Sequence, residues 1–387
     1  MRLLFVSNLY PTVAAPNRGR PNSRLLRRFA PAHEVGLLVA RPRLLPPYAD
    51  GVKRQADQAL PEDAAFSPRV IHVPYAPKIG SLLNHWLYAH ALRHAFAAAL
   101  AEGRPDAILV GWLFPDMCGV IRLAKQHGIP VFGISQGSDA HQYLHMPWRR
   151  RVILRGCADA AGIITRSRDL AERLAAAGVP REKLRTVYNG VETEVFQPGN
   201  RREARRRFAL PAGDRTLLYV GNLLPVKNPI LLLDAFAKLP PNTQLVYVGE
   251  GELAEGLHAR AAALGLTDRV RLVGLQPPAA VVSYMQAADL LVVPSRNEGI
   301  PNVIREAFAC GLPVVATQVG GIGEVVNEDW LGSLVPSEDP DAMAATMAHW
   351  LEQAPDAPRI RAHAQAFSWD RTAADCLSFV RERTAAP

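Results

Sequence analysis

The sequence predicts an α/β protein built from two Rossmann-like domains facing across a cleft, each a parallel sheet covered by helices. Three observations carry this. Short apolar runs alternate with helical patterns almost from end to end, as in βαβ units. The alternation breaks once, over the Pro-, Gly- and Arg-rich stretch 197–214, and then restarts. At 387 residues the chain is too long for one ordinary core and suits two domains of similar size.

In order, the first half offers strands at Leu3–Ser7, Val35–Val39, Val70–Val73, Ala107–Val110, Val131–Ile134, Gly162–Thr165 and Leu184–Val187. Each is a short apolar run of the kind a doubly covered strand needs. Helical patterns lie at Leu82–Leu100, Asp116–His127 and Arg168–Ala177, with Ser167 placed to cap the last and Gly178 to end it. The broken stretch holds one short helix. Beyond it come strands at Leu217–Val220, Leu245–Val248, Val270–Val273, Leu290–Val293 and Val314–Ala316. Their helices are Pro229–Lys238, Glu252–Leu264, Ala279–Gln286, Val303–Cys310 and Asp341–Gln353. The expected domains are therefore 1–198 and 199–366, with 367–387 as a C-terminal helix packing back on the first. Ligands of open α/β sheets bind outside the carboxyl ends of the strands, so functional motifs should follow strands.

Composition narrows the class. Hydrophobic content of 49% and charged content of 21% are those of a globular protein. The four cysteines are scattered, without C-x-x-C spacing, which fits a reducing cytoplasm better than a disulfide framework or zinc site. The N-terminal apolar run is too short for a signal peptide, and no run reaches a membrane span. Net charge is +8, and arginines crowd at 18–28, 149–155 and 201–207. Such a surface is either scattered surface arginine or a site for an anionic membrane face or phosphorylated acceptor. No zinc finger or aromatic RNP-like box supports nucleic acid.

The most informative segment runs from Val293 to Thr317. A strand ends at Pro294, a polar loop carries Glu298, and a helix opens near Asn302, carries Glu306 and stops at Gly311. The N–H groups of Gly299, Ile300, Pro-flanked Asn302 and Val303 converge where a helix begins, an arrangement suited to a diphosphate. A carboxylate offers two acceptor oxygens to paired sugar hydroxyls. A second strand–loop–helix, Tyr219 to Pro229, places Lys227 beside a helix start.

The first segment resembles the Glu-x7-Glu motif of the retaining family-4 glycosyltransferases, which have the two-Rossmann GT-B fold. It matches both glutamates, the following Gly, and the flanking Pro-Ser and Gly-x-Pro-Val-Val-Ala-Thr elements. By that resemblance Glu298 binds donor-sugar hydroxyls and Glu306 the nucleotide ribose, with Gly299, Ile300, Pro301, Asn302 and Val303 around the diphosphate. Lys227 matches the family's diphosphate-neutralising lysine, whereas Asn222 stands where relatives commonly carry arginine. Val248-Gly249-Glu250-Gly251 and Val273-Gly274-Leu275 match loops that line the donor pocket, and Gly320-Gly321-Ile322-Gly323-Glu324 matches the loop after the motif strand. In the first domain, Asn17-Arg18-Gly19-Arg20 resembles the loop facing the transferred phosphate and acceptor. Gln136-Gly137-Ser138-Asp139 resembles a loop that often begins with a basic residue; here Gln136 replaces it and can still donate a hydrogen bond. His141 and His145 lie just beyond.

The resemblance implies a reaction carried by Glu298, Lys227 and Asp139, with a nucleotide-diphosphate sugar as donor and a glycan or lipid-linked acceptor. No cofactor is expected, since the nucleotide sugar is a substrate, and no Asp-x-Asp metal box follows a strand. The expected setting is the cytoplasm, on the inner membrane face, in bacterial surface polysaccharide synthesis. Two alternatives stay open: a nucleotide-sugar epimerase of the same fold, and a non-catalytic glycosyltransferase-like subunit, which Asn222 and Gln136 keep in play. A Rossmann dehydrogenase lacks support, because no Gly-x-Gly-x-x-Gly follows the first strand.

Overall fold

Strand β1 (Arg2–Ser7) turns Leu3 and Phe5 to one face and Leu4 and Val6 to the other, and both faces are buried. A strand with two buried faces requires helices on both sides of its sheet. The computed structural model, which describes residues 1–13, 15–16, 18–44, 60–77 and 82–385, shows this pattern twice. Its first unit comprises Met1–Asn189 with Trp369–Pro387, and its second Gly190–Ser368.

The first unit continues through α1 (Arg20–Phe29), β2 (Glu34–Leu44), β3 (Arg69–Tyr75), α2 (Asn84–Glu102), β4 (Ala107–Val110) and α3 (Cys118–Ala124). Then come β5 (Val131–Ser135), α4 (Ser138–His141), α5 (Pro147–Asp159), β6 (Gly162–Thr165), α6 (Arg168–Ala177) and β7 (Leu184–Thr186). The strands form one parallel sheet in the order β3-β2-β1-β4-β5-β6-β7. Ser167 Oγ accepts from Leu170 N at 3.2 Å and Gly178 ends α6 in the left-handed region.

The second unit runs α7 (Arg201–Arg207), β8 (Arg215–Val220), α8 (Pro229–Phe236), β9 (Thr243–Val248), α9 (Ala254–Ala263), β10 (Val270–Leu272) and α10 (Pro278–Ala287). It finishes with β11 (Leu290–Val293), α11 (Asn302–Ala309), β12 (Val314–Thr317), β13 (Gly332–Val335), α12 (Pro340–Glu352) and α13 (Ala357–Gln365). Its parallel sheet has the order β10-β9-β8-β11-β12-β13. The last helix, α14 (Trp369–Ala385), belongs to the first unit, where Phe379 meets Phe132 edge-on at 5.8 Å.

The structure departs from the sequence reading in four places. The first unit ends at Asn189 rather than 198, because Val191 and Phe196 pack in the second unit's core and Val191 N donates to Phe367 O at 2.8 Å. Helices α1, α4, α5 and α13 are absent from the sequence reading; arginines interrupt the apolar pattern of α1 and α5. The helix expected from Asp116 starts as a wide turn at Leu113 and becomes regular only at Cys118. Strand β13 is also absent from it; unlike the other four-residue strands, its two middle residues are only half-buried. All four cysteines are buried and free.

Candidate functional site

The chain of the second unit leaves β8 for β9 and β10 on one side, then returns to β11 on the other. The strand order therefore reverses between β8 and β11, and the loops after these two central strands meet at their carboxyl ends, where ligands of open α/β sheets bind. Lys227 ends a tight turn, Pro225–Lys227, on the first of these loops, and Glu298 lies on the second. The Lys227 ammonium donates to Glu298 Oε1, which also accepts from Ser295 Oγ at 3.0 Å. Neither charge is fully buried, so the pair can reopen for a ligand.

The Glu298 loop is held from beneath. Gly320, at φ +53°, comes so close that a Cβ there would lie 1.7 Å from the Glu298 carbonyl oxygen. Gly321 N donates to Gly299 O at 2.8 Å and Thr317 Oγ1 to Ser295 O at 2.5 Å. The loop then enters α11 through Pro301, and no side chain caps that helix start. The N–H groups of its first turn, at Asn302 and Val303, are thus left for solvent or an anion. Asn302 Oδ1 accepts from Arg305 at 2.8 Å. Glu306 lies half-buried further along α11; burial first, and then its charge, pushes the Cys310 thiol up to about 12.

Gly249 is pressed on the β8 loop, with its Cβ position 1.9 Å from Gly221 O, and its N–H donates to Gly274 O at 2.9 Å. Gly274 itself faces open space and Leu275 is exposed. Asn222 is exposed, its carbonyl accepting from Tyr219 OH at 2.8 Å. Sequence reasoning overlooks Arg296, whose guanidinium grips Glu338 at 2.7 and 3.1 Å and the Pro225 carbonyl at 2.6 Å. This fastens the Lys227 turn to the Glu298 loop. No local motif marks it, because Glu338 is 42 residues away.

The first unit reverses direction between β1 and β4, and its candidate residues gather there. Asn8 donates through its backbone N and its Nδ2 to the two oxygens of Asp116, both at 2.7 Å. Burial pushes the Asp116 carboxyl up to about 7, against the hydrogen bonds from Asn8. Gly19 begins α1 at φ +68° with its Cβ position 2.3 Å from the Leu9 carbonyl, so it is a close-packing glycine; Asn17 lies outside the described residues. Gln136 Nε2 donates to Gly111 O at 2.6 Å and Asn22 Oδ1 at 3.0 Å, while Asn22 donates to Leu9 O at 2.7 Å. The Gln136 amide thus donates, as a glutamine at this position can, but to partners inside the unit.

Asp139 needs correction as a catalytic candidate. It is fully buried and accepts from Ser135 Oγ and from the backbone N–H groups of Leu113, Gln136, Gly137 and Ala140 at 3.0–3.4 Å. Its oxygens are taken up in shaping the loop. Gly137 precedes it at φ +145° with open space beside it. His141 Nε2 lies 3.3 Å from Asp169, and His145 is exposed.

A cavity of about 400 Å³ opens over the same strand ends. Tyr75, Tyr88, Trp112, Phe114 and Tyr143 wall it, and Arg18 is the one arginine among its described lining residues. Among the described residues, no three His, Cys, Asp or Glu side chains gather as a metal-ligand set.

Residues 200–367 match the family model for glycosyl transferases group 1, and residues 20–195 that for Glycosyltransferase Family 4. The chain is 32% identical to a D-inositol 3-phosphate glycosyltransferase of Segniliparus rotundus, over 77% of this chain and 68% of that one. It is 33% identical to the enzyme of the same name from Thermobispora bispora, over 68% and 66%. The match thus spans about two thirds of these relatives. Among solved structures it is similar to Anabaena HepE in complex with UDP and glucose, at 21% identity, TM-score 0.76 and 98% of both chains. It is also similar to sucrose-phosphate synthase from Thermosynechococcus elongatus, at 22% identity, TM-score 0.77 and 100% of both chains.

Proposed function

The chain belongs to the family-4 glycosyltransferases and has the GT-B fold, and from that premise we propose that it moves a sugar, with retention, from a nucleoside-diphosphate sugar to an anionic acceptor. The observation that carries the reading is the Lys227–Glu298 pair beside the uncapped start of α11. Donor entry exchanges partners. Lys227 turns from Glu298 to the diphosphate, whose oxygens also accept from the first-turn N–H groups of α11. Glu298, steadied by Ser295, then accepts from the sugar hydroxyls, and Glu306 from the ribose.

The bond between the anomeric carbon and the β-phosphate oxygen breaks while the acceptor oxygen bonds to that carbon from the same face. The acceptor's proton passes to the departing diphosphate. The protein's part is to orient the two substrates and stabilise the leaving charge. Since Lys227 and backbone amides supply that stabilisation, transfer proceeds without a divalent metal.

The aromatic cavity of the first unit suits an acceptor that presents sugar or apolar faces, with Arg18 for one anionic group. The names of the relatives, which specify D-inositol 3-phosphate, support an anionic acceptor. We read that acceptor as lipid-linked, reached by a protein seated reversibly on a membrane during surface polysaccharide assembly. No helix of the described residues is long and apolar enough to cross a membrane.

The test is a transfer assay with a panel of nucleoside-diphosphate sugars, phosphorylated soluble and lipid-linked acceptors, and EDTA. Expected are a product with the donor's anomeric configuration and full activity under chelation. An inverted product, an isomerised free nucleotide sugar, or loss under EDTA restored by magnesium would contradict the proposal.

A further inference from the structure

The basic residues form three groups in sequence, and the structure gives them different fates. Arg27 pairs with Asp63 at 2.9 Å and Glu62 at 3.3 Å, and Arg28 with Asp370 at 3.3 Å. Arg201 and Arg205 converge on Asp289 at 3.0 and 2.5 Å, and Arg207 donates to Ser283. Several arginines of the first and third groups thus already have partners within the protein. The middle group, Arg149, Arg150, Arg151 and Arg155 on α5, has no ion pair among the described residues.

Exposed apolar surface gathers beside that group. Among the described residues eight large hydrophobic side chains are exposed, and four of them flank the starts of α2 and α5: Leu83 (58%), Trp86 (50%), Met146 (43%) and Trp148 (46%). The two helix starts touch, Trp148 Nε1 donating to Leu82 O at 3.4 Å. The Arg122 guanidinium lies 3.4 Å from the centre of the Trp86 ring. Trp86, Arg122, Trp148, Arg151 and Arg155 line one open cavity of about 340 Å³. Neither helix has an acid in its first turn, and Arg149 and Arg150 stand where the helix dipole disfavours cations. An anion at this face relieves that conflict.

We infer that this face, formed by the starts of α2 and α5, seats the protein on an anionic lipid surface. Indoles belong at headgroup level, where the ring is apolar and the N–H polar. Arginines beside them reach lipid phosphates while their stems lie on apolar surface. The face also adjoins the aromatic cavity. Arg149 stacks 4.4 Å from the Tyr143 ring and 5.4 Å from Phe114, and both rings line that cavity, as do Asn84 and Tyr88 of α2. A bilayer on this face therefore brings lipid-linked molecules to the cavity mouth. The inference rests on the membrane reading above and assigns it to one surface.

The test is co-sedimentation of the full chain with phosphatidylglycerol or phosphatidylcholine vesicles at low and high salt. Compared are wild type, Arg150→Glu/Arg151→Glu, Trp86→Ser/Trp148→Ser, and Arg202→Glu/Arg206→Glu on α7. Circular dichroism and nucleotide binding check that each variant is folded. Expected is salt-sensitive binding to phosphatidylglycerol, weakened at least about tenfold by the first two double changes and little by the third. Binding lost only in the α7 variant overturns this face and leaves the membrane reading standing. No preference of wild type for anionic vesicles overturns both. A dimer by sedimentation velocity that Trp86→Ser/Trp148→Ser dissolves, without vesicle binding, assigns the face to a second copy and also overturns it.

Discussion

Lys227 and Glu298 stand 71 residues apart and meet because β8 and β11 are neighbours. Their pairing sets opposite outcomes for their removal. Lys227→Ala takes away a charge-assisted donor and is expected to weaken nucleoside-diphosphate binding by about 10- to 100-fold. Glu298→Ala removes the competitor for Lys227, so free nucleotide should bind at least as well while transfer falls by about 100-fold or more. Glu306→Ala should weaken nucleotide binding too. Calorimetric titration beside a transfer assay reads all three. Equal loss of nucleotide affinity in the two glutamate variants would contradict the assignment. The motif spacing makes these residues visible as candidates, but not the bond between two of them. Asp139 misleads because a motif gives residue type and not burial. A local signal does exist: an Asp just after Gln-Gly-Ser is placed to bond the N–H groups of its own turn. Nothing local marks Asn22 or the Asp116–Asn8 contact.

Asp116 carries a pH dependence. Its carboxyl is raised from 3.8 to about 7, chiefly by burial, so the protonated form is the one that folding favours. The stabilisation is full below the ordinary carboxylate range and is lost as pH rises through 7, by an amount on the order of 4 kcal/mol. Asp116→Asn should flatten the fall of denaturation midpoint between pH 5 and 8. An unchanged slope in that variant would refute the buried carboxyl as its origin.

Among elements, the βαβ alternation is legible because doubly covered strands are continuous apolar runs, and most strand and helix limits agree within two residues. What escapes includes β13, whose middle residues are only half-buried, and the arginine-rich helices α1 and α5. The attachment of α14 offers a test. Phe379 is buried against Phe132, and a Cβ on Gly162 would lie 2.6 Å from its ring. Phe379→Ala should cost about 3–5 kcal/mol in chemical denaturation. The turn after β12 offers another. Gly320→Ala forces a methyl into the Glu298 carbonyl, whereas Gly274→Ala, also at positive φ, meets open space. Both changes carry backbone strain of about 1–2 kcal/mol. Transfer activity should collapse only in the first, and similar activity in the two variants would count against the role of that turn.

At the scale of the whole molecule, net charge is a blunt guide. The total of +8 includes arginines already paired with Asp63, Asp289 and Asp370. Only the structure separates them from those left facing outward on α5. The division into two α/β units is legible in the polar linker, although its position shifts because Val191 and Phe196 serve the second core. The central claim is that the loops at the carboxyl ends of β8 and β11 hold a nucleoside-diphosphate sugar. Hydrogen exchange of the full chain, with and without a saturating nucleoside-diphosphate sugar that supports transfer, tests it most directly. Slowed exchange confined mainly to 221–228, 249–252, 274–276 and 298–306 is predicted. Binding without protection in 221–228 and 298–306, or with protection only in the first unit, would contradict it.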